Sequence, residues 1–402
     1  MSTSYLYHAY NLKGVQYKSS EYIGNKIILK AQMTKFLSKC RACGSSNVIY
    51  RGFKIRRLRL PPSGQKRTML YLKVHRLGCK DCGCVLWPHL PFAPGKQRYT
   101  NSFAMFVLCL LQHMTIKSAA VFTGSGWDLI KMIHKRKIKT LYKRIDLKNI
   151  RYISIDEFKN SRKKEQFMTI VIDIQTGRII HAVEGKNKEC ILPFLKKLSG
   201  KSGKLKAVAM DMGPAYFSAV IEALHHVAIV FDHFHVIKLM NDALDNLRKQ
   251  LQNQLDKIGK KTLKGSRYLL LANFENLDQK KQNRLSSLLE INKPLFVMHS
   301  MKEQLRLFWK HKNKKSANEF LFAWCNTAME QAIPLLIKVA QTLLSGKSAL
   351  LNYFDHFISS GKIEGIINKI KTLKRQVYGF RDKEYFKLRL YHLHAQKYSL
   401  YG

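Results

Sequence analysis

Apolar and polar residues alternate with a period of two in short runs through residues 1–89, as in KIILKAQM and RTMLYLKVHRLGC. This alternation predicts half-buried strands, and Pro61, Pro62 and Gly64 predict a turn between such runs. A Pro-rich stretch at residues 87–98, WPHLPFAPGKQR, reads as a linker. Residues 101–147 then take helical spacing. From residue 151 alternation returns in RYISIDEF and continues through FMTIVIDIQTGRIIHAVEG, with a turn at Thr176-Gly177. LPFLKKL predicts a helix, KAVAMDM a strand, AYFSAVIEALHH a helix and VAIVFDHFHV a strand. The order is β-β-β-α-β-α-β. From about residue 238 to 357 Leu-rich stretches recur at helical spacing, and KIEGIINKIKTLKRQVYG predicts a closing helix. No internal repeat stands out.

Two CxxC knuckles, Cys40/Cys43 and Cys79/Cys82, flank the strand-turn-strand pattern of a zinc ribbon. Each CxxC turn aims two thiolates at one centre, and Zn²⁺ takes four such ligands in a tetrahedron. Cys84 competes with Cys82 for the fourth position. A redox CxxC fits poorly beside a second CxxC, and Cys109, Cys190 and Cys325 sit alone on apolar stretches as core residues.

TIKSAAVFTGSGWDLIKMIHKR has the spacing of a helix-turn-helix. Ala119 and Ala120 permit close packing, Gly124 sits in the turn, and Ser125 is placed to cap the second helix. That helix carries Lys131, His134, Lys135, Arg136, Lys137 and Lys139, and such a helix enters the major groove. An ordinary helical hairpin with a solvated basic face has the same pattern.

Acids are scarce, so those at strand ends stand out. Asp156, Asp211 and Asp232 end YISID, KAVAMD and VAIVFD, and Asp173 lies in VIDI. On the closing helix Glu364, Asn368, Lys371 and Arg375 share one face, while Ile363, Ile366, Ile367, Ile370 and Val377 line the apolar side. Strand-end aspartates with a helix glutamate can hold two Mg²⁺ ions about 3.5–4 Å apart, the arrangement that activates an attacking oxygen and stabilises a leaving one in phosphodiester chemistry. Water and substrate phosphate complete such shells. The alternative role for strand-end Asp is capping of turns and helices.

Charge narrows the partner. The chain has 71 Lys and Arg against 26 Asp and Glu, a net +45, with a pI near 10.0. A chain so basic calls for a polyanion, and cations spread over every segment favour nucleic acid over a lipid patch. The composition excludes general disorder, and eight cysteines in 402 residues exclude a disulfide scaffold. The longest apolar run, FAMFVLCLL, is about half of a bilayer span, and the N-terminus has no signal layout. No membrane role is expected; a cytoplasmic, nucleoid-associated bacterial protein with reduced thiols is. The absence of GxxxxGK[ST] argues against a nucleotide cofactor.

ISIDEF, AMDMGPAY, FDHFHVIKLMNDALDNLR and SGKIEGIINKIKTLKRQVYGFR, with the paired CxxC and TIKSAAVFTGSGWDLI, resemble the signature blocks of insertion-sequence transposases of the ISL-three type. The resemblance covers most of the chain. It implies an α/β fold: an RNase H-like DDE catalytic core with an all-helical insertion, preceded by a zinc ribbon and a helix-turn-helix. The corresponding segments are residues 1–90 with the zinc ribbon, 91–149 with the helix-turn-helix, 150–239 as the first part of the core, 240–350 as the insertion, and 351–402 with the glutamate helix and tail. Asp156 matches the first catalytic aspartate, Asp211 the second in D-x-x-x-x-Y, and Glu364 the glutamate in E-G-x-x-N-K-I-K. These three are expected to hold two Mg²⁺ or Mn²⁺ ions. Asp232 and His235 match a D-x-F-H block and are candidates for metal support, DNA contact or packing. The implied activity is binding of terminal inverted repeats, strand cleavage and strand transfer on double-stranded DNA, by a homodimer in the DNA complex. Lys131, Lys135 and Arg136, and Lys362, Lys369, Lys371, Lys374 and Arg375, are the expected phosphate contacts. The rival readings are a non-catalytic DNA-binding regulator and a nuclease acting on branched DNA.

Overall fold

The computed structural model describes residues 4–34, 39–160, 166–254, 263–359, 361–377 and 379–393. The chain divides into two compact units, one built mainly from residues 1–143 and the other mainly from residues 144–375 and 380–394.

The first unit opens with a short helix α1 (Tyr5–Tyr10) and a five-stranded sheet of β1 (Val15–Ile23), β2 (Lys26–Met33), β3 (Val48–Arg59), β4 (Arg67–Cys79) and β5 (Val85–Leu86). The order is β1-β2-β4-β3, with β5 also on β4. β3 and β4 are the antiparallel hairpin expected between the cysteine pairs, whereas β2 runs parallel to β4. Alternation works as the pattern requires: Leu70, Leu72 and Val74 of β4 are buried with Leu29, Leu58 and Leu60. The stretch 87–98 is not a linker. It is irregular but docked, since Leu90, Phe92 and Ala93 enter the same core and Arg56 donates to the Ala93 and Gln97 carbonyls.

Helices α2 (Asn101–Leu110), α3 (Ile116–Thr123) and α4 (Trp127–Leu141) follow. Phe103, Val107, Ala119, Ala120, Ile130 and Ile133 form their common core. Thr115 caps α3 by accepting from the Ser118 amide. Gly126, not Ser125, is the N-cap of α4; Ser125 instead bonds the Ala120 carbonyl and the Thr123 hydroxyl. Gly124 ends α3 in the left-handed region, at φ +56°. Arg59 of β3 donates to the Thr123 and Gly124 carbonyls, at 2.9 and 2.8 Å, and so ties the hairpin to this turn. A Cβ at Gly124 would meet the Arg67 guanidinium. Gly124→Ala is expected to destabilise the protein by about 1–2 kcal/mol, chiefly through the positive φ. Urea denaturation checks this, and an unchanged midpoint would refute it.

The second unit is built on β6 (Tyr152–Lys159), β7 (Phe167–Asp173), β8 (Ile179–Glu184), β9 (Ala207–Met210) and β10 (Ala228–Phe231), ordered β10-β9-β6-β7-β8. β6, β7 and β8 are antiparallel neighbours; β9 and β10 run parallel to β6. Helices α5 (Lys188–Ser199) and α6 (Pro214–Ala223) intervene as the pattern predicts. Ile153, Ile155, Val171, Val208 and Met210 face these helices in the largest core. After β10, the described residues to His356 are helical or in short connections, beginning with α7 (His233–Gln254). Phe308 and Trp324 are buried among these helices, the Trp324 indole donating to the Met301 carbonyl. The glutamate helix (Gly361–Gln376) lays Ile363, Ile366, Ile367 and Ile370 on Phe158, Met168, Ile170, Ile172 and Ile179, the other face of the sheet. Leu373, not Val377, completes its buried stripe. A final helix, Lys383–Tyr391, adds Phe386 and Leu390 to that core. Among the described residues no helix is long and apolar enough to cross a membrane.

Candidate active site and zinc centre

Strand register brings three aspartates to one level. Ser154 pairs with Ala209, so Asp156, two residues on, is level with Asp211. Met210 pairs with Phe231, so Asp211 is level with Asp232. The three acids thus form a row across adjacent parallel strands: Asp211 and Asp232 directly follow β9 and β10, whereas Asp156 does not end its strand, because β6 stays paired with β7 as far as Lys159. On the alternation of β6, Asp156 lies between Ser154 and Phe158, on the face that the glutamate helix covers.

Each carboxylate is held. The Glu157 amide donates to Asp156 Oδ1 at 2.7 Å, and the Gly213 amide to Asp211 Oδ1 at 3.0 Å. Asp232 is buried, and its Oδ2 is 2.9 Å from His235 Nδ1 on the first turn of α7. His235 Nε2 lies 3.8 Å from Asp211 Oδ2. The imidazole therefore stands between two carboxylates. Burial works against its charged form, but the bond to Asp232 and the charges of Asp211 and Asp156 outweigh it and raise the pKa. Asp156 is pushed up to about 7, first by burial, with Glu157 and Asp211 adding repulsion against the opposing Glu157 amide and His235. Hard carboxylate oxygens crowded by like charge suit Mg²⁺ or Mn²⁺.

Glu364 is exposed near the start of its helix. Among the described residues Asp156, Asp211 and Glu364 do not close to within 4.8 Å of one another. Asp173 has the alternative role: it accepts from the Gln175 amide and the Thr176 hydroxyl and closes the β7–β8 turn.

The four cysteines do close. Sγ atoms of Cys40, Cys43, Cys79 and Cys82 all lie within 4.8 Å of one another, with Cys40–Cys82 at 3.7 Å and Cys43–Cys79 at 3.6 Å. A tetrahedron with Zn–S of about 2.3 Å has edges of about 3.8 Å, so the set fits zinc. Cys82 belongs to it and Cys84 does not; Cys84 instead accepts the Cys79 amide through its carbonyl. The Cys79 thiol is pulled down to about 7, most by the Cys82 backbone N–H. Asp81 accepts from Ser45 and Asn47, which staples one knuckle to the other.

Residues 153–390 match the transposase domain family of the ISL3 type, whose description is "Transposase". The chain belongs to the ISL3 family of transposases. Residues 37–82 match the zinc-finger of transposase IS204/IS1001/IS1096/IS1165. This ISL3 transposase is 30% identical to the transposase for insertion sequence element IS1001 of Bordetella parapertussis, over 91% of each chain. It is 25% identical to the transposase for insertion sequence element IS1557 of Mycobacterium tuberculosis, over 90% of this chain and 87% of that one. A solved structure, the Drosophila P element transposase strand transfer complex, aligns with TM-score 0.40 and 13% identity over 74% of this chain and 92% of that one.

The expected DNA contacts of the transposase are not equivalent. Lys362 Nζ donates to the Ile174 and Gln175 carbonyls, and Lys374 Nζ to those of Lys159 and Asn160. Both pin the glutamate helix to the sheet. Lys369, Lys371 and Arg375 are exposed on that helix. On α4, Arg136 is tied to Gln97 and the Tyr99 hydroxyl, and His134 is buried rather than part of a basic face. Lys131 lies over the Trp127 ring at 5.2 Å, and Lys135 is half-buried.

Sequence reasoning missed Glu157 and its surroundings. It points to the face opposite Asp156, beside Tyr216, whose hydroxyl is 2.9 Å from that of Thr169. Burial raises its pKa, against Tyr216 and Lys186. The signal was the strand parity in ISIDEF, which must send neighbouring acids to opposite faces.

Proposed function

We propose that this transposase binds the terminal inverted repeats of its insertion sequence and carries out metal-dependent strand cleavage and strand transfer. The level row of Asp156, Asp211 and Asp232 beside the glutamate helix carries the reading. Three antiparallel strands followed by two parallel ones, with helices on both faces, support an RNase H-like core, interrupted between residues 240 and 350 by a helical insertion. Residues 1–90 and 91–149 supply the zinc ribbon and helix-turn-helix that recognise the repeats.

Asp156, Asp211 and Glu364 would hold two Mg²⁺ or Mn²⁺ ions. When bound, such a pair activates the attacking oxygen and stabilises the leaving one. Asp232 holds His235, and His235 orients Asp211. Lys369, Lys371 and Arg375 bind DNA phosphates beside the cut, and Lys131 and Lys135 bind them on α4. Lys362 and Lys374 serve by holding the glutamate helix in place. Hydrolysis leaves a 3′-OH, which then attacks target DNA in a transesterification that needs neither nucleotide nor covalent enzyme intermediate. Two ends are cut together by a homodimer.

The full chain incubated with Mg²⁺ and a labelled fragment spanning its element's own end should cut at the terminus. Binding without scission would identify a regulator instead, and scission governed by branching rather than repeat sequence a structure-specific nuclease. The pH dependence follows from Asp156. Its carboxyl holds a proton below about pH 7 and must lose it to bind a cation. Cleavage at limiting Mg²⁺ should therefore rise with pH through about 7 and then level off. Initial rates between about pH 6 and pH 8 check this, and a rate that falls over that range would contradict it.

A further inference from the structure

The sheet of the first unit has two unlike faces. Leu58, Leu70, Leu72 and Val74 point into its core. The residues alternating with them point outward. Register sets Phe53 opposite His75, Ile55 opposite Lys73, and Arg57 opposite Tyr71. A bulge between Tyr50 and Phe53, with Gly52 at φ +88°, brings Tyr50 to the same ring cluster. The Tyr50 and Phe53 rings lie 5.2 and 5.9 Å from the His75 ring. Tyr50, Phe53 and Ile55 are each more than half exposed, at 53%, 55% and 57%. Lys73 Nζ stands 4.2 Å from the Phe53 ring centre, and the Arg57 guanidinium 5.3 Å from that of Tyr71.

Rings and cations thus interleave on an open surface. The sole acid within these strands, Glu21, is paired with Lys30. Residues 1–143 carry 26 Lys and Arg but three acids, so the ligand is an anion. The exposed rings select among anions, because phosphates alone give them no partner. Beside Arg57 and Tyr71 four strands lie abreast, about 14 Å across, and beyond Lys73 the surface narrows to β3 and β4. Paired bases present only their edges in a groove, so the ring faces find stacking partners in unpaired bases.

We propose that this face is a binding site for single-stranded DNA, with unpaired bases stacked on Tyr50, Phe53 and Tyr71 and backbone phosphates on Arg57 and Lys73. Every base has a π face, so the site tolerates any sequence. The face lies on the zinc-ribbon hairpin itself, within residues 37–82, and begins two residues from the Val48–Cys79 pair. It rests on the transposase reading for the source of the strand, which is the DNA opened at an element end.

The test uses the full chain in Mg²⁺-free buffer, with fluorescence anisotropy of a labelled oligothymidine of about 16 nucleotides. An abasic strand of equal length and a duplex serve as comparisons. The double variant Phe53→Leu/Tyr71→Leu keeps apolar bulk while removing both rings, and zinc content and melting temperature confirm its fold. Oligothymidine binding is expected to weaken about tenfold for each ring lost, with abasic-strand binding, which uses the phosphates alone, nearly unchanged and duplex binding weakened less than oligothymidine binding. Unchanged oligothymidine binding in the variant would overturn the proposal. So would wild-type binding of the abasic strand as tight as that of oligothymidine. A variant that changed oligomeric state but kept its oligothymidine affinity would assign the face to a second copy of the chain. No strand is cut in this assay, so its outcome and that of the cleavage experiment are read independently.

Discussion

Asp156→Asn is expected to leave binding to the element's ends intact and to reduce Mg²⁺-dependent cleavage by about three orders of magnitude or more. The substitution keeps size and removes charge. Losing a ligand to a Lewis acid worth several kcal/mol gives a loss of that size, since about 1.4 kcal/mol is tenfold in rate. Binding should survive because Asp156 lies in the second unit, while residues 37–82 and α4 lie in the first. The Asn side chain still accepts the Glu157 amide, so β6 keeps its local geometry. Cleavage of a labelled end fragment, with gel-shift titration of the same fragment, measures both quantities. Undiminished cleavage would remove Asp156 from the site. A parallel loss of binding would show that the two units are not separable in function. His235→Ala should be milder, because it takes away the orientation of Asp211 and leaves the carboxylate.

The second large effect concerns zinc. Cys79→Ser should abolish zinc binding and with it nearly all end binding. A structural zinc contributes about 10–16 kcal/mol of apparent binding free energy in small domains. In this chain the loss should stay local. β3 and β4 continue away from the knuckles into a core of Leu29, Leu58, Leu70, Leu72 and Val74 that includes none of the four cysteines. The variant is therefore expected to keep most of its far-ultraviolet circular dichroism while its zinc falls from one ion per chain to none. A chelator applied to the native protein should have the same effect. Cys84→Ser should retain the ion, because Cys84 takes part through its backbone carbonyl. Loss of zinc in Cys84→Ser together with retention in Cys82→Ser would reverse the ligand assignment.

Local signals carried much of this structure. The β-β-β-α-β-α-β order from residue 151 is visible because each strand alternates and each helix has its own apolar stripe. The aspartates stood out because each follows directly on an apolar run. Their alignment into one row was not legible, since it depends on which strands pair and in what register. The cysteines were legible as a set, but the choice between Cys82 and Cys84 needed distances. Residues 87–98 misled because proline richness marks irregular backbone and says nothing about docking; Leu90 and Phe92 are buried without belonging to any period. Lys362 and Lys374 read as phosphate grips because carbonyl capture is a tertiary event. His134 looked like part of a basic face because one turn of α4 mixes buried and exposed positions. The last helix, Lys383–Tyr391, went unnoticed because aromatic, aliphatic and basic residues alternate around it with little sidedness.

Glu364 lies 153 residues beyond Asp211, yet its helix packs on the strand that carries Asp156. On a ribosome making about 5–20 residues per second, about 8–30 s pass between the appearance of the second acid and that of the third. Residues 1–143, the main part of the first unit, are made before either Asp156 or Asp211. On the proposed reading, the zinc-ribbon segment exists before the glutamate that would complete the metal site, so synthesis itself would set a delay between attachment and cutting.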